Sequence, residues 1–379
     1  MIRRLRVKNY RSLADIDIAL DSLTVLVGYN GSGKSTLVDV LRFVQDALRF
    51  GLDTVIMNRH GIGALRHRTY HDLLHDIEIL LEVETASIKG WYTFTLESEQ
   101  GGGYTIKREA LSVTQLGEQV TQSFESYGSC WLEKPEGLAP RLNSRALVLP
   151  LLADMEPYKY LYDFIEGMSF YNIFPNSLKE PQKAANPYPL NEHGTNLAST
   201  LRYIHDNSKT AYQNLVRSIQ DIIPGIVDFH VRQISSYFIT YIRREIGAQK
   251  LSMFNLSQES DGTLRMLGIL TALHQVPART LIVLEEPELT IHPGILHLLW
   301  NEIEDAAKKS QIILTTHSPD LLDLCEADSL RIVEMVDGCT QIGKVDEIQQ
   351  QAIQKNLVAT GELLRAQGLR RATQQSLGE

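Results

Sequence analysis

The sequence predicts an α/β protein built on a phosphate-binding loop (P-loop), with a β lobe and a mostly helical insertion. Three observations predict it. Residues 23–36 run from an apolar strand through a glycine-rich loop into a helix. Two later apolar runs, Leu281–Leu284 and Ile312–Leu314, end abruptly in polar chemistry, as buried parallel strands do. Between these two regions the pattern alternates as in strands and then turns helical.

Residues 2–8 alternate in strand fashion, Asn9-Tyr10-Arg11-Ser12 reads as a turn, and Ile16, Ile18 and Leu20 mark a second strand. Val25-Leu26-Val27 is a short buried strand. From Gly28 to Ser35 the chain spells the complete pattern G-x-x-x-x-G-K-[ST]. Gly28, Gly31 and Gly33 let the backbone wrap tightly with its N–H groups inward. Lys34 supplies positive charge for terminal phosphates and the Ser35 hydroxyl is a ligand for Mg²⁺. Leu37, Val40, Leu41, Val44 and Leu48 recur at helical spacing, so a helix N-terminus faces the phosphates.

Residues 51–76 lack clear periodicity. Ile77–Glu84, Trp91–Leu96 and Tyr104–Val113 read as strands of an antiparallel lobe, the last two joined by a turn at Gly101-Gly102-Gly103. From about residue 145 to 250 the character becomes helical, interrupted by prolines between Pro175 and Pro189. Asn196–Ile219 reads as one or two helices, and Phe229–Ile242 as strand-like. No heptad repeat persists, so no long coiled-coil arm is expected. The expected division is a core from 1–60 and 253–345, a β lobe over 61–115, a mostly helical insertion over 116–252, and a tail over 346–379.

With 379 residues, 43% of them hydrophobic and 22% charged, the chain is long enough for two or three domains with a sizeable core. A net charge of −9 argues against a globally basic nucleic-acid coat but allows a local basic groove. No apolar run has the ~20 residues of a membrane span. The N-terminal Met-Ile-Arg-Arg-Leu-Arg-Val has no apolar segment after it, so no secretory signal is expected. Cys130, Cys325 and Cys339 are widely spaced and read as free thiols, which fits the cytoplasm.

The run Leu281–Leu284 delivers Glu285 and Glu286 to a strand's C-terminal edge, where a phosphate-loop protein meets Mg²⁺ and the γ-phosphate. Glu285 would hold the metal, directly or through water, and Glu286 would polarise the attacking water. Ile312–Leu314 ends in Thr315, Thr316 and His317, and an imidazole there can hydrogen-bond a γ-phosphate. One helix, Gly294–Lys309, fits between the two strands. Ser260, Asp261 and Gly262 precede a helix with an apolar face of Leu264, Leu267, Leu270 and Leu273. They read either as a plain helix cap or as an exposed anion-binding N-terminus.

Together the phosphate loop, Ser260-Asp-Gly-Thr263, Glu285-Glu-Pro-Glu288 and Thr315-Thr-His-Ser-Pro319 resemble the ABC-type ATPase heads, which include the SMC, RecF and OLD-like ATPases. Asn9–Ser12, Asn191–Leu201, Ile291-His292-Pro293 and Thr360–Leu364 look like the RecF/OLD-like group. The resemblance implies an ATPase using ATP and Mg²⁺, with Asn30, Gly31, Ser32, Gly33, Lys34, Ser35 and Thr36 around the phosphates and Arg11 touching phosphate or sugar. Glu286 and His317 would be catalytic, and Ser35 and Glu285 would hold the metal. Ser260 and Gly262 would complete the site of a second subunit. That implies a homodimer sandwiching ATP, or a larger even-numbered assembly. A separately encoded effector, as in bacterial antiviral defence, is the first expectation for its partner. DNA, as in RecF-like repair, is the second, and a scaffold with negligible turnover the third. Most ABC-type heads carry aspartate where this chain has Glu285, and Ser260–Thr263 lacks the double glycine of transporter signatures. The glutamine loop of such heads has no evident counterpart. With 62 residues after His317 (379 − 317), no fused nuclease is expected.

His67, His71 and His75 stand four apart, as metal ligands on a helix would. Because strand pattern begins at Ile77, a packed or solvated connection is the expected role.

Overall fold

The structure, a computed structural model, describes residues 1–68, 75–99, 102–117, 119–137, 141–246, 250–355 and 357–372. The chain opens with strands β1 (Ile2–Tyr10), β2 (Leu13–Ala19) and β3 (Leu23–Val27), then helices α1 (Lys34–Phe50), α2 (Leu52–Asn58) and α3 (Ile62–Leu65). Strands β4 (Ile77–Glu84), β5 (Ile88–Ser98), β6 (Tyr104–Gln115), β7 (Val120–Tyr127) and β8 (Cys130–Glu133) follow. Next come α4 (Tyr158–Glu166), β9 (Met168–Tyr171), α5 (Pro175–Lys179), β10 (Gln182–Lys183), α6 (Leu197–Asn207) and α7 (Lys209–Ile222). A hairpin and its neighbour, β11 (Ile226–Ile234), β12 (Tyr237–Ile246) and β13 (Lys250–Asn255), lead to α8 (Asp261–Leu273). The chain continues through β14 (Leu281–Glu285), α9 (Leu296–Ala307), β15 (Gln311–Thr316) and α10 (Pro319–Leu322). It finishes with β16 (Leu330–Val336), β17 (Cys339–Gly343), α11 (Glu347–Gln354) and α12 (Thr360–Ala366).

Among the described residues, one six-stranded sheet runs β17-β16-β3-β15-β14-β9, and the pairings of β16, β3, β15, β14 and β9 are parallel. Both faces of these strands are covered, which is why their sequences are apolar runs. Leu26, Val283 and Ile313 face a core shared with α1 and α4. Val25, Leu284 and Leu314 face the other way, toward α8 and α9.

A seven-stranded antiparallel sheet, β2-β1-β4-β5-β6-β7-β8, covers α1 from the opposite side. Ile77, Ile79, Leu81 and Val83 alternate inward from β4, and Tyr10, Phe43 and Phe94 meet in the shared core. The lobe sheet therefore recruits β1 and β2 from the start of the chain and extends to Glu133.

Two stretches differ from their sequence patterns. Residues 51–76 contain the short helices α2 and α3, stabilised by tertiary contacts of Leu52, Val55, Ile56, Ile62 and Leu65 rather than by a long amphipathic face. The expected mostly helical stretch 116–252 carries α4 to α7, but also β7 to β12: β7 pairs antiparallel with β6 and β11 with β12, while β9 joins the parallel sheet beside β14. Asn196–Ile219 resolves into two helices because Ser208 breaks the run, its Oγ accepting from Ala211 N at 3.3 Å. Part of the turn read at Gly101–Gly103 lies outside the described residues.

Candidate active site

The phosphate loop links β3 to α1. Gly31 and Gly33 have φ of 79° and 108°, which only glycine adopts freely. A Cβ on Gly33 would stand 2.0 Å from Thr340 Oγ1, so β17 buttresses the loop from behind. The Thr340 hydroxyl donates to Ser32 O at 3.0 Å and lies 2.8 Å from Ser12 Oγ. Ser32 is buried, and its own Oγ has no hydrogen-bond partner among the described residues. Asn30, Gly31 and Ser35 are exposed and Thr36 is half-buried.

Lys34 is buried, and Nζ donates to Gly28 O at 2.6 Å and Tyr29 O at 3.2 Å. Burial lowers its pKa, against the opposing pull of Glu286 and Glu288. A cation held out of water beside inward-facing N–H groups suits a phosphate chain.

The parallel register brings the other strand ends to the same edge. Val27 of β3 stands beside Thr316 of β15, and Thr315 beside Glu285 of β14. Ser35 is close enough to Glu285 to stabilise its carboxylate form. Burial raises the Glu285 pKa, while Arg42 and Ser35 draw it back. A hydroxyl and a carboxylate are hard oxygen donors, the set that fits Mg²⁺. Glu286 has left-handed backbone with φ of 45°, and its N donates to Thr315 O at 2.9 Å. Its Oε1 lies 3.3 Å from His317 Nδ1. Lys34, Ser35, Glu285, Glu286 and His317 thus form one constellation.

The remaining expected residues lie elsewhere. Arg11, also left-handed with φ of 49°, pairs through Nη1 with Asp39 Oδ2 of α1 at 3.0 Å. Ser260 caps α8, accepting from Thr263 N at 3.2 Å. Gly262 approaches the loop after β14 so closely that a Cβ would lie 2.6 Å from Thr290 O. Ser260 and Gly262 line an open cavity of about 560 Å³ with Thr290 and His292, distinct from the cavity lined by Gly28, Tyr29, Asn30 and His317. His67 is buried, with Nδ1 2.6 Å from Arg11 O and Nε2 3.7 Å from Cys339 Sγ, whereas His71 lies outside the described residues.

Several residues at this edge were not singled out from the sequence. Leu284 pairs with Tyr171 in parallel, so Asn172 follows β9 beside Glu285, at the outer end of the row of strand ends. Gln45 of α1 fixes β9 there, donating to Met168 O at 2.7 Å and Glu166 O at 2.8 Å. Arg42 of α1 lies 3.5 Å from Glu285 Oε1 and 2.7 Å from Glu192 Oε1. The only sequence signal was Glu192's place in the Asn191–Leu201 stretch. The α12 stretch Thr360–Leu364 docks on α10, just after His317, where Gly361 N donates to Asp323 Oδ1 at 2.6 Å.

The chain is similar to known ATPase domains and, in fold, to SMC heads. Residues 142–323 match the family described as "AAA domain, putative AbiEii toxin, Type IV TA system", and residues 1–98 match "AAA ATPase domain". The chain is 24% identical over 369 residues to "OLD nuclease" of Thermus scotoductus, covering 88% of this chain and 62% of that protein. The chain therefore spans under two thirds of that relative's length. It is 20% identical to "Retron Vc95 probable ATPase" of Vibrio cholerae, covering 89% of this chain and 74% of that protein. In fold it is similar to an SMC head solved with the C-winged helix domain of ScpA, with a TM-score of 0.56 at 12% identity, covering 93% and 99% of the two chains. An SMC head with an extended coiled coil, from a Pyrococcus furiosus complex, gives a TM-score of 0.50 at 10% identity, covering 94% and 99%.

Proposed function

We propose that this chain, whose fold is that of an OLD/RecF/SMC-related ATPase head, hydrolyses ATP with Mg²⁺ and uses the cycle to dimerise and regulate a partner. The observation that carries the reading is the convergence of Lys34, Ser35, Glu285, Glu286 and His317 on one sheet edge. The loop from Asn30 to Thr36 would cradle the phosphates, with Lys34 as counter-charge. Ser35 and Glu285 would hold Mg²⁺, which when bound offsets phosphate charge. Glu286 would accept the proton of the attacking water, oriented by His317.

Ser260 and Gly262 line a cavity apart from the loop of their own chain. In this reading they cap the ATP of a second copy, giving a homodimer or a larger even-numbered assembly. The retron ATPase among the relatives supports a role with a separately encoded effector, as in bacterial defence. No helix among the described residues is long and apolar enough to cross a membrane, and the three cysteines are free, which suits a reducing cytoplasm.

The test is Mg²⁺-dependent phosphate release by the full chain beside Lys34→Ala. The variant should lose ATP binding and turnover while melting at the wild-type temperature. Wild-type protein that neither binds nor hydrolyses ATP overturns the reading.

A further inference from the structure

Two buried charged side chains flank the Glu286–His317 pair without belonging to it. Arg265 lies on α8, five positions beyond Ser260, and is 4% exposed. Its guanidinium leaves the helix and donates to the carbonyls of the strand ends: Nη1 to Ile173 O at 2.9 Å, Nη2 to Glu286 O at 2.8 Å and to Glu285 O at 3.4 Å. Its Nε has no partner among the described residues. Burial lowers its pKa, and Glu288 and then Glu286 are the charges that oppose this.

Glu288 is 8% exposed. Its Oε1 accepts from the Thr316 hydroxyl at 2.6 Å, and Thr316 Oγ1 accepts in turn from Ser318 N at 3.0 Å. The residues on both sides of His317 are therefore tied to one carboxylate. Glu288 Oε2 is buried without a partner among the described residues. A buried polar group short of hydrogen bonds costs stability, and both of these stand against the backbone that carries Glu286 and His317.

We propose that Arg265 and Glu288 are positioning residues, Arg265 fixing the backbone of Glu286 and Glu288 fixing the turn that carries His317, so that the Ser260 cap and the hydrolytic pair move as one unit. α8 carries Ser260 at its N-terminus and Arg265 in its second turn. Anything that seats the cap is thereby transmitted to the Glu286 carbonyl. The inference rests on the ATPase reading above.

Steady-state kinetics on the full chain test it, with ATP affinity measured separately. Glu288→Ala should lower kcat by about tenfold with ATP affinity unchanged, because only the hydrolytic geometry is lost. Glu288→Gln, which keeps a carbonyl acceptor for Thr316, should recover most of that rate. In a His317→Ala background Glu288→Ala should cost little more, since both act through the same imidazole. Arg265→Met should also lower kcat at constant affinity, and Arg265→Lys should restore part of it. If Glu288→Ala does not fold, Thr316→Val breaks the same bond with little change in shape and should show the same kcat loss. Full additivity with His317→Ala, or losses that fall on ATP affinity alone, overturns the inference. Wild-type turnover with unaffected variants also overturns it and leaves the ATPase reading intact. Absent wild-type turnover overturns that reading first.

Discussion

Glu286 Oε1 lies 3.3 Å from His317 Nδ1, although the two residues end different strands with α9 between them. The contact engages one imidazole nitrogen with the proposed base and leaves Nε2 for a phosphate oxygen. His317→Ala should therefore slow hydrolysis by roughly ten- to a hundredfold, the equivalent of about one to three kcal/mol, with ATP affinity unchanged. Single-turnover phosphate release and equilibrium ATP binding read the two quantities separately. An unchanged rate would leave His317 with a structural role only.

Glu286→Gln should trap an ATP-bound dimer. Glutamine keeps the shape but cannot take the proton, so turnover should fall by about 10²–10⁴. Lys34, Ser35 and Glu285 are untouched, so ATP stays bound and stabilises the associated state by mass action. Light scattering after size exclusion with ATP and Mg²⁺ should give a dimer or larger even-numbered assembly. Ser260→Arg in the same background should return it to monomer. A variant that binds ATP yet stays monomeric at micromolar concentration would refute the two-chain site.

Gly33→Ala and Gly31→Ala should differ. Both positions have positive φ, but only at Gly33 would the new Cβ meet Thr340 Oγ1, at 2.0 Å, whereas nothing stands within 4 Å at Gly31. Gly31→Ala should cost about 1–2 kcal/mol of backbone strain, and Gly33→Ala that plus displacement of Thr340. Thermal melts without nucleotide check the order, and equal melting temperatures would count against β17 as the loop's support.

Glu109 gives the lobe a pH dependence. It is 1% exposed, its Oε2 accepting from Val148 N at 2.7 Å and its Oε1 from Tyr92 Oη at 2.9 Å and Leu149 N at 3.1 Å. Burial pushes its pKa up to about 7, with those three donors pulling back. The folded state then binds the proton more tightly than the unfolded chain, whose carboxyl titrates near the ordinary glutamate value. Stability should fall as pH rises between about 4.5 and 7 and level off above, by an amount on the order of 3 kcal/mol. Denaturant unfolding across that range should show the slope in wild type and a flatter curve in Glu109→Gln. Equal slopes would remove Glu109 as the cause.

The phosphate loop is legible in the sequence, because strand, glycines, Lys34, Ser35 and helix lie within fourteen consecutive residues, 23–36, and their geometry is local. Glu285, Glu286 and His317 are legible there too as strand-end residues, because a strand buried on both faces is a continuous apolar run whose end is visible. Tertiary structure alone decided which strand ends stand side by side. The pairing of β9 with β14 puts Asn172 next to Glu285, and Arg42 joins Glu192 to Glu285. It alone decided that Arg265, an ordinary charged residue in the sequence, and Glu288, whose motif gave it no role of its own, are buried against the backbone of the site. Periodicity records only whether a side chain faces a core. It does not record which distant element supplies that core, and the partners of a buried charge are set by that element.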